Sequence, residues 1–129
     1  MVKENLIKIR DNHSFNIKKL ESWLSANLSN FNDILSVKQF VGGQSNPTFL
    51  ITSKNGAKVI LRKKPPGKLL PSAHAIEREY RVQNSLNNTS IPCPRMLMLC
   101  EDPSVIGTPF YLINRKQYIS LPKKKQVFL

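Results

Sequence analysis

Phe40 to Lys63 reads FVGGQSNPTFLITSKNGAKVILRK, and this stretch decides the fold. Asn55-Gly56 splits it into two apolar runs, Thr48–Thr52 and Ala57–Arg62, each of strand length and rich in β-branched residues. An Asn-Gly pair favours a type I′ hairpin turn, whose two central residues take positive φ. The spacing therefore predicts an antiparallel hairpin. Upstream, Gly42-Gly43 ends a further strand, Ile34–Val41, in which Leu35, Val37 and Gln39 alternate against Ser36, Lys38 and Phe40. Downstream, Pro65-Pro66-Gly67 excludes regular structure and opens a loop to Pro71.

Beyond this stretch the apolar period changes. Ile17, Leu20, Trp23, Leu24 and Leu28 recur at helical spacing, with Ser14 or Asn16 available as N-cap. A second helix is expected from Ala73 to about Asn87, with Ala75, Glu79, Val82 and Leu86 on one stripe and Ile76, Tyr80 and Gln83 beside it. Ile91-Pro92-Cys93-Pro94 breaks that helix before a fourth strand, about Arg95–Leu99, and Phe110–Ile113 reads as a fifth. The layout is α+β: a five-stranded, mostly antiparallel sheet with an N-terminal helix and a second helix after the third strand. It divides into a polar, flexible lead-in (1–14), one domain (15–113) and a basic tail (114–129).

Composition narrows the function classes. The chain has 129 residues, enough for one domain. Mean hydropathy of -0.30 fits a folded globular chain. The longest strongly apolar run, Met96–Cys100, is far short of the ~20 residues of a membrane helix. The charged start MVKENLIKIR lacks the apolar core of a secretory signal, which points to an intracellular protein without choosing among cytoplasm, mitochondrion and peroxisome. Cys93 and Cys100 have neither metal-ligand nor redox spacing, and His13 and His74 stand apart, so no metal ligands are assigned.

A net charge of +12 is the strongest compositional signal and favours a polyanionic partner. The charge lies in two acid-free clusters, Lys54 to Lys68 and Arg115 to Lys125. A nucleic-acid interface would interleave aromatics with these cations and carry a recognisable motif; neither is present. Nucleic acid is therefore an alternative, not the first expectation, as is a regulatory protein using an apolar face for interaction.

One residue breaks the helical pattern. Glu79 places a carboxylate at the centre of an apolar stripe, which is costly unless a cation meets it. Arg62, ending an acid-free strand, is the candidate, because its planar fork suits a partly buried carboxylate. A structural salt bridge is the plain explanation. The order of parts favours a second one. A glycine turn between strands brings successive N–H groups to an anion. Ser45, Asn46 and Thr48 add donors, a cation follows on the next strand, and an acid follows on the next helix. Kinase-like nucleotide sites use this order.

The segments GGQSNPTFLI, VILRKKPPG, LLPSAHAIEREYRV, IPCPRML and SVIGTPFYLI also carry a family resemblance. Together they resemble the N-terminal lobe of the aminoglycoside phosphotransferase family, most closely the kinase-like domain found in acyl-CoA dehydrogenase family members 10 and 11. The resemblance covers roughly residues 15–113. It implies a kinase-like N-lobe whose second helix is the αC-like helix. Gly42, Gly43, Gln44, Ser45, Asn46 and Thr48 would form the phosphate-covering loop, and Phe110–Ile113 would lead to the hinge beside adenine. Arg62 stands where the family usually has a lysine, with Lys63 a neighbouring alternative, and Glu79 matches the acid that pairs with this cation.

The resemblance further implies ATP and magnesium as the full-length family's cofactors. Its substrate would be a small-molecule hydroxyl, in the dehydrogenase-fused branch a hydroxyacyl-CoA. Partners would be a C-terminal lobe or a dehydrogenase domain. The family's C-terminal lobe supplies a His-Gly-Asp segment, a following Asn and a metal-binding Asp. After Ile113 this sequence reads NRKQYISLPKKKQVFL instead. No catalytic residue is assigned, and the chain as given is expected to bind nucleotide weakly without transferring phosphate.

Overall fold

A computed structural model describes residues 6–10, 14–41, 47–63, 75–87, 89–90 and 95–114. The expected glycine loop (42–46), the Pro-rich loop, Ile91–Pro94 and the basic tail from 115 lie outside the described residues. In chain order the elements are β1 (Leu6–Ile7), α1 (Ile17–Asn27), β2 (Ile34–Phe40), β3 (Thr48–Ser53), β4 (Lys58–Lys63), α2 (Ala75–Leu86), β5 (Met96–Cys100) and β6 (Phe110–Asn114). The strands form a single sheet in the order β1-β2-β3-β4-β6-β5, and every neighbouring pair is antiparallel.

The central hairpin falls where Asn55-Gly56 predicted it, but the turn differs. Only Gly56 takes positive φ, at 92°, and no non-glycine residue among those described does. The Gly56 N–H donates to the Ser53 carbonyl (3.0 Å) and the Ser53 N–H to the Ala57 carbonyl (2.7 Å). This is a three-residue loop closed by a left-handed glycine, the next most common hairpin after the two-residue form. Asn55 keeps ordinary φ and instead accepts from the Ala57 N–H at 3.1 Å and donates to the Asn30 carbonyl at 2.9 Å.

Each face of the sheet has its own cover. On one, α1, the loop that follows it and the β5–β6 connection bury Leu20, Leu24, Phe31, Val105 and Ile106 against Phe49, Ile51, Val59, Leu61, Phe110 and Leu112. Fully burying one such side chain contributes roughly 1.5–3 kcal/mol. The Asn16 carboxamide caps α1 by accepting from the Lys19 N–H at 3.0 Å. The Trp23 ring meets Phe110 edge-on at 5.1 Å. On the other face Ile76 of α2 packs with Leu50, Ile60, Met96, Tyr111 and Ile113.

Three expectations are corrected here. The sheet has six strands, not five, because Leu6 and Ile7, read as part of a polar lead-in, pair with Phe40 and Gln39. The buried Gln39 carboxamide accepts from the Arg10 N–H at 3.0 Å and holds that segment on the edge. In β2, the register shifts between Ile34 and Ser36, so Leu35 is the extra residue of a bulge and is 63% exposed, while Ile34 and Val37 face the α1 core. In α2, the inward face is turned toward Ile76 and Tyr80, leaving Val82 53% exposed.

Candidate functional site

Strand pairing lays out the α2 face in rows. Leu50, Ile60 and Ile113 stand side by side across β3, β4 and β6, and the next row is Thr48, Arg62, Tyr111 and, on β5, Leu99. Side chains opposite one another on a shared face are close enough to interact. The first row is apolar and receives Ile76; the second is polar and receives Glu79.

Arg62 and Glu79 form the buried pair that the helical pattern called for. The Arg62 Nε–H donates to Glu79 Oε1 at 2.9 Å, with the two side chains only 1% and 8% exposed. Arg62 Nη1 also donates to the Thr48 hydroxyl at 3.3 Å. The Tyr111 hydroxyl donates to the same Glu79 oxygen at 2.7 Å. Four side chains from β3, β4, β6 and α2 thus form one hydrogen-bonded group. Buried charge is tolerable here because both partners are ionic and further hydrogen bonds surround them.

The structure brings together Thr48, Arg62 and Glu79 of the sequence-predicted residues. Gly42, Gly43, Gln44, Ser45 and Asn46 lie outside the described residues. Lys63 is not brought to the group: adjacent strand residues point to opposite faces, and its ammonium lies over the Phe15 and Phe49 rings at 5.8 and 6.0 Å, on the α1 side. Tyr111 was named only as part of a strand. A lone phenol in the apolar run Phe110–Ile113 was the available signal, since a buried tyrosine hydroxyl normally has a partner.

Burial lowers the Lys63 pKa from the usual lysine value. Burial also raises that of Cys100, a free thiol under the β5–β6 connection, although its Sγ–H donates to the Asp102 carbonyl. Asp102 is held below the usual carboxylate range by the Ser104 hydroxyl, 2.7 Å from Oδ1, and by the Ser104 N–H. Neither group touches the Arg62 cluster. No three His, Cys, Asp or Glu side chains among the described residues gather to hold a metal ion.

The basic clusters divide when placed on the fold. Lys54 and Lys58 are exposed, and Lys54 lies 4.0 Å from Asp33. Arg62 and Lys63 are buried, so two cations of that cluster do not contribute to a basic surface. No helix among the described residues is long and apolar enough to cross a membrane.

With this geometry in hand, comparison with known proteins is informative. The profile of the phosphotransferase enzyme family (APH) matches residues 36–123. Rat acyl-CoA dehydrogenase family member 11 is 41% identical over 120 residues, covering 90% of this chain and 15% of the relative. Mouse acyl-CoA dehydrogenase family member 10 is 56% identical over 80 residues, covering 62% of this chain and 7% of that one. The chain thus spans about 15% of the length of the member 11 relatives it matches. A crystal structure assigned as an aminoglycoside phosphotransferase from Ralstonia eutropha superposes with a TM-score of 0.64 at 42% identity, over 78% of this chain and 28% of that one. The α+β sheet, its two helices and these matches together place the chain in the phosphotransferase enzyme family.

Proposed function

We propose that the chain is the phosphate-holding part of a kinase-like nucleotide site, the lobe of residues 15–113 with Leu6–Ile7 added at its edge. The observation that carries this reading is the buried Arg62–Glu79 pair at 2.9 Å, with Thr48 opposite Arg62 in the sheet and Gly42–Asn46 just before Thr48 in sequence. An arginine held by an acid from the next helix presents a fixed positive charge, and phosphoryl transfer depends on such positioning. The donor set suits an anion: a guanidinium and the Thr48 hydroxyl, with N–H groups and hydroxyls expected from 42–46. ATP phosphates fit that chemistry.

Magnesium is a different matter. It is bound through carboxylates and phosphate oxygens, and the described residues gather no such carboxylates. The ion belongs to the reaction of the full-length family, and no role is drawn for it on these residues. The role proposed for these 129 residues is to hold the nucleotide phosphates; the His-Gly-Asp segment that the resemblance assigns to the C-terminal lobe is not among them. The family's reaction, ATP-dependent phosphorylation of a small-molecule hydroxyl, is the function to which this part contributes. A hydroxyacyl-CoA is the substrate proposed, as the resemblance to the dehydrogenase-fused branch implies; the relatives' names speak only of acyl-CoA dehydrogenases. A nucleic-acid role has less support, since the sequence has neither aromatics interleaved with its basic clusters nor a recognition motif.

Equilibrium titration with a non-hydrolysable ATP analogue tests the reading. Binding is expected in the millimolar range or tighter, and Arg62→Ala abolishes it while the variant stays folded by circular dichroism. An Arg62→Ala protein that binds as well as the parent overturns the assignment.

A further inference from the structure

The Glu79 carboxylate is held from two sides by different strands. Its Oε1 atom accepts from Arg62 on β4 and from the Tyr111 hydroxyl on β6, at 2.9 and 2.7 Å. The two donors are not equivalent. Arg62 has a long, flexible stem, whereas Tyr111 is fully buried, has two rotatable side-chain bonds and leans against the Tyr80 ring at 6.0 Å. Tyr80 is the neighbour of Glu79 on α2, and α2 rests on β5 and β6. One rigid phenol on β6 therefore grips two consecutive residues of α2, one through its ring and the other through its hydroxyl.

We infer that Tyr111 is a positioning residue: it fixes the Glu79 carboxylate, and through that carboxylate sets the direction of the Arg62 guanidinium. For its consequence in ligand binding this rests on the nucleotide reading above. The register supports the division of labour. Tyr111 stands directly opposite Arg62 across β4 and β6, with Thr48 opposite Arg62 on the far side. The guanidinium is bounded by Thr48 on one flank and by the tyrosine-held carboxylate on the other. Removing the phenol oxygen leaves every charge in place and removes the hydrogen bond to Glu79. Glu79 then turns with Arg62, and an anion must order both side chains when it binds.

The test compares Tyr111→Phe with Ile60→Val, a core trim on the strand and face of Arg62 that leaves the polar row intact. Two readouts are taken on nitrogen-15-labelled protein: solvent exchange of the Arg62 Nε–H, and affinity for a non-hydrolysable ATP analogue. In Tyr111→Phe, exchange is expected to quicken and affinity to fall, each by about tenfold, the loss of one charge-assisted hydrogen bond. Ile60→Val should leave both near parental values. The inference is overturned if Arg62 Nε–H exchange in Tyr111→Phe equals that of the parent, or if Ile60→Val quickens it as much. Parental protein that ignores the nucleotide, with exchange still quickened in Tyr111→Phe, overturns the nucleotide reading while supporting the hold of Tyr111 on Arg62. Nucleotide binding that is equal in the parent and Tyr111→Phe, but lost in Arg62→Ala, keeps the nucleotide reading and overturns the positioning role.

Discussion

Arg62 and Lys63 are adjacent, both buried and both cationic, yet the two faces of the sheet treat them differently. On the α2 face Arg62 meets a carboxylate, a hydroxyl and, through the carboxylate, a phenol. On the α1 face Lys63 meets two aromatic rings, and no ion pair to it is seen among the described residues. Strand alternation alone separates them. A run of basic residues is therefore not one feature. The same two letters supply a charge fixed by partners on one side and a desolvated amine over aromatic rings on the other.

The comparison predicts opposite responses to mutation. Glu79→Ala should cause the largest loss, about 3–5 kcal/mol, because it leaves a guanidinium buried without its carboxylate. Urea unfolding followed by tryptophan fluorescence measures it, and a loss below about 1 kcal/mol would mean that Arg62 is as well served by its other partners. Lys63→Met should be neutral or stabilising by up to about 1 kcal/mol at neutral pH, since methionine packs against the Phe15 and Phe49 rings without a charge to desolvate.

The sign of the pH dependence follows from burial. The folded pKa of Lys63 is lowered while the unfolded value stays near 10.5, so the unfolded chain binds more protons in the interval between them. The penalty is complete below that interval, diminishes as pH rises through it, and is gone above 10.5. Parental stability relative to Lys63→Met should therefore recover on approaching that pH. A gap that widens with pH would mean that Lys63 is stabilised as a cation by the two rings.

Much of this arrangement was legible in the sequence, for local reasons. The Asn55-Gly56 hairpin, the helix capped at Asn16 and the acid at the centre of an apolar stripe each depend on residues close in sequence. Glu79 was informative because it broke its own pattern, and a buried acid requires a cation. What escaped depends on pairing between distant segments. Tyr111 enters the group only because β6 lies beside β4, a register no local motif specifies. The bulge at Leu35 reversed the expected facing of one residue, since a single insertion shifts a two-residue period. The edge strand Leu6–Ile7 was missed because two residues among charged neighbours carry too little period to read.

Nucleotide-induced chemical-shift mapping on the two faces tests the central claim most directly. Millimolar ATP analogue should move the resonances of Thr48, Arg62 and Tyr111, with Phe49, Lys63 and Phe15 left almost unmoved. Shifts centred on Lys63 and its two rings, or no shifts on either face, would contradict an anion site built on the Arg62–Glu79 pair.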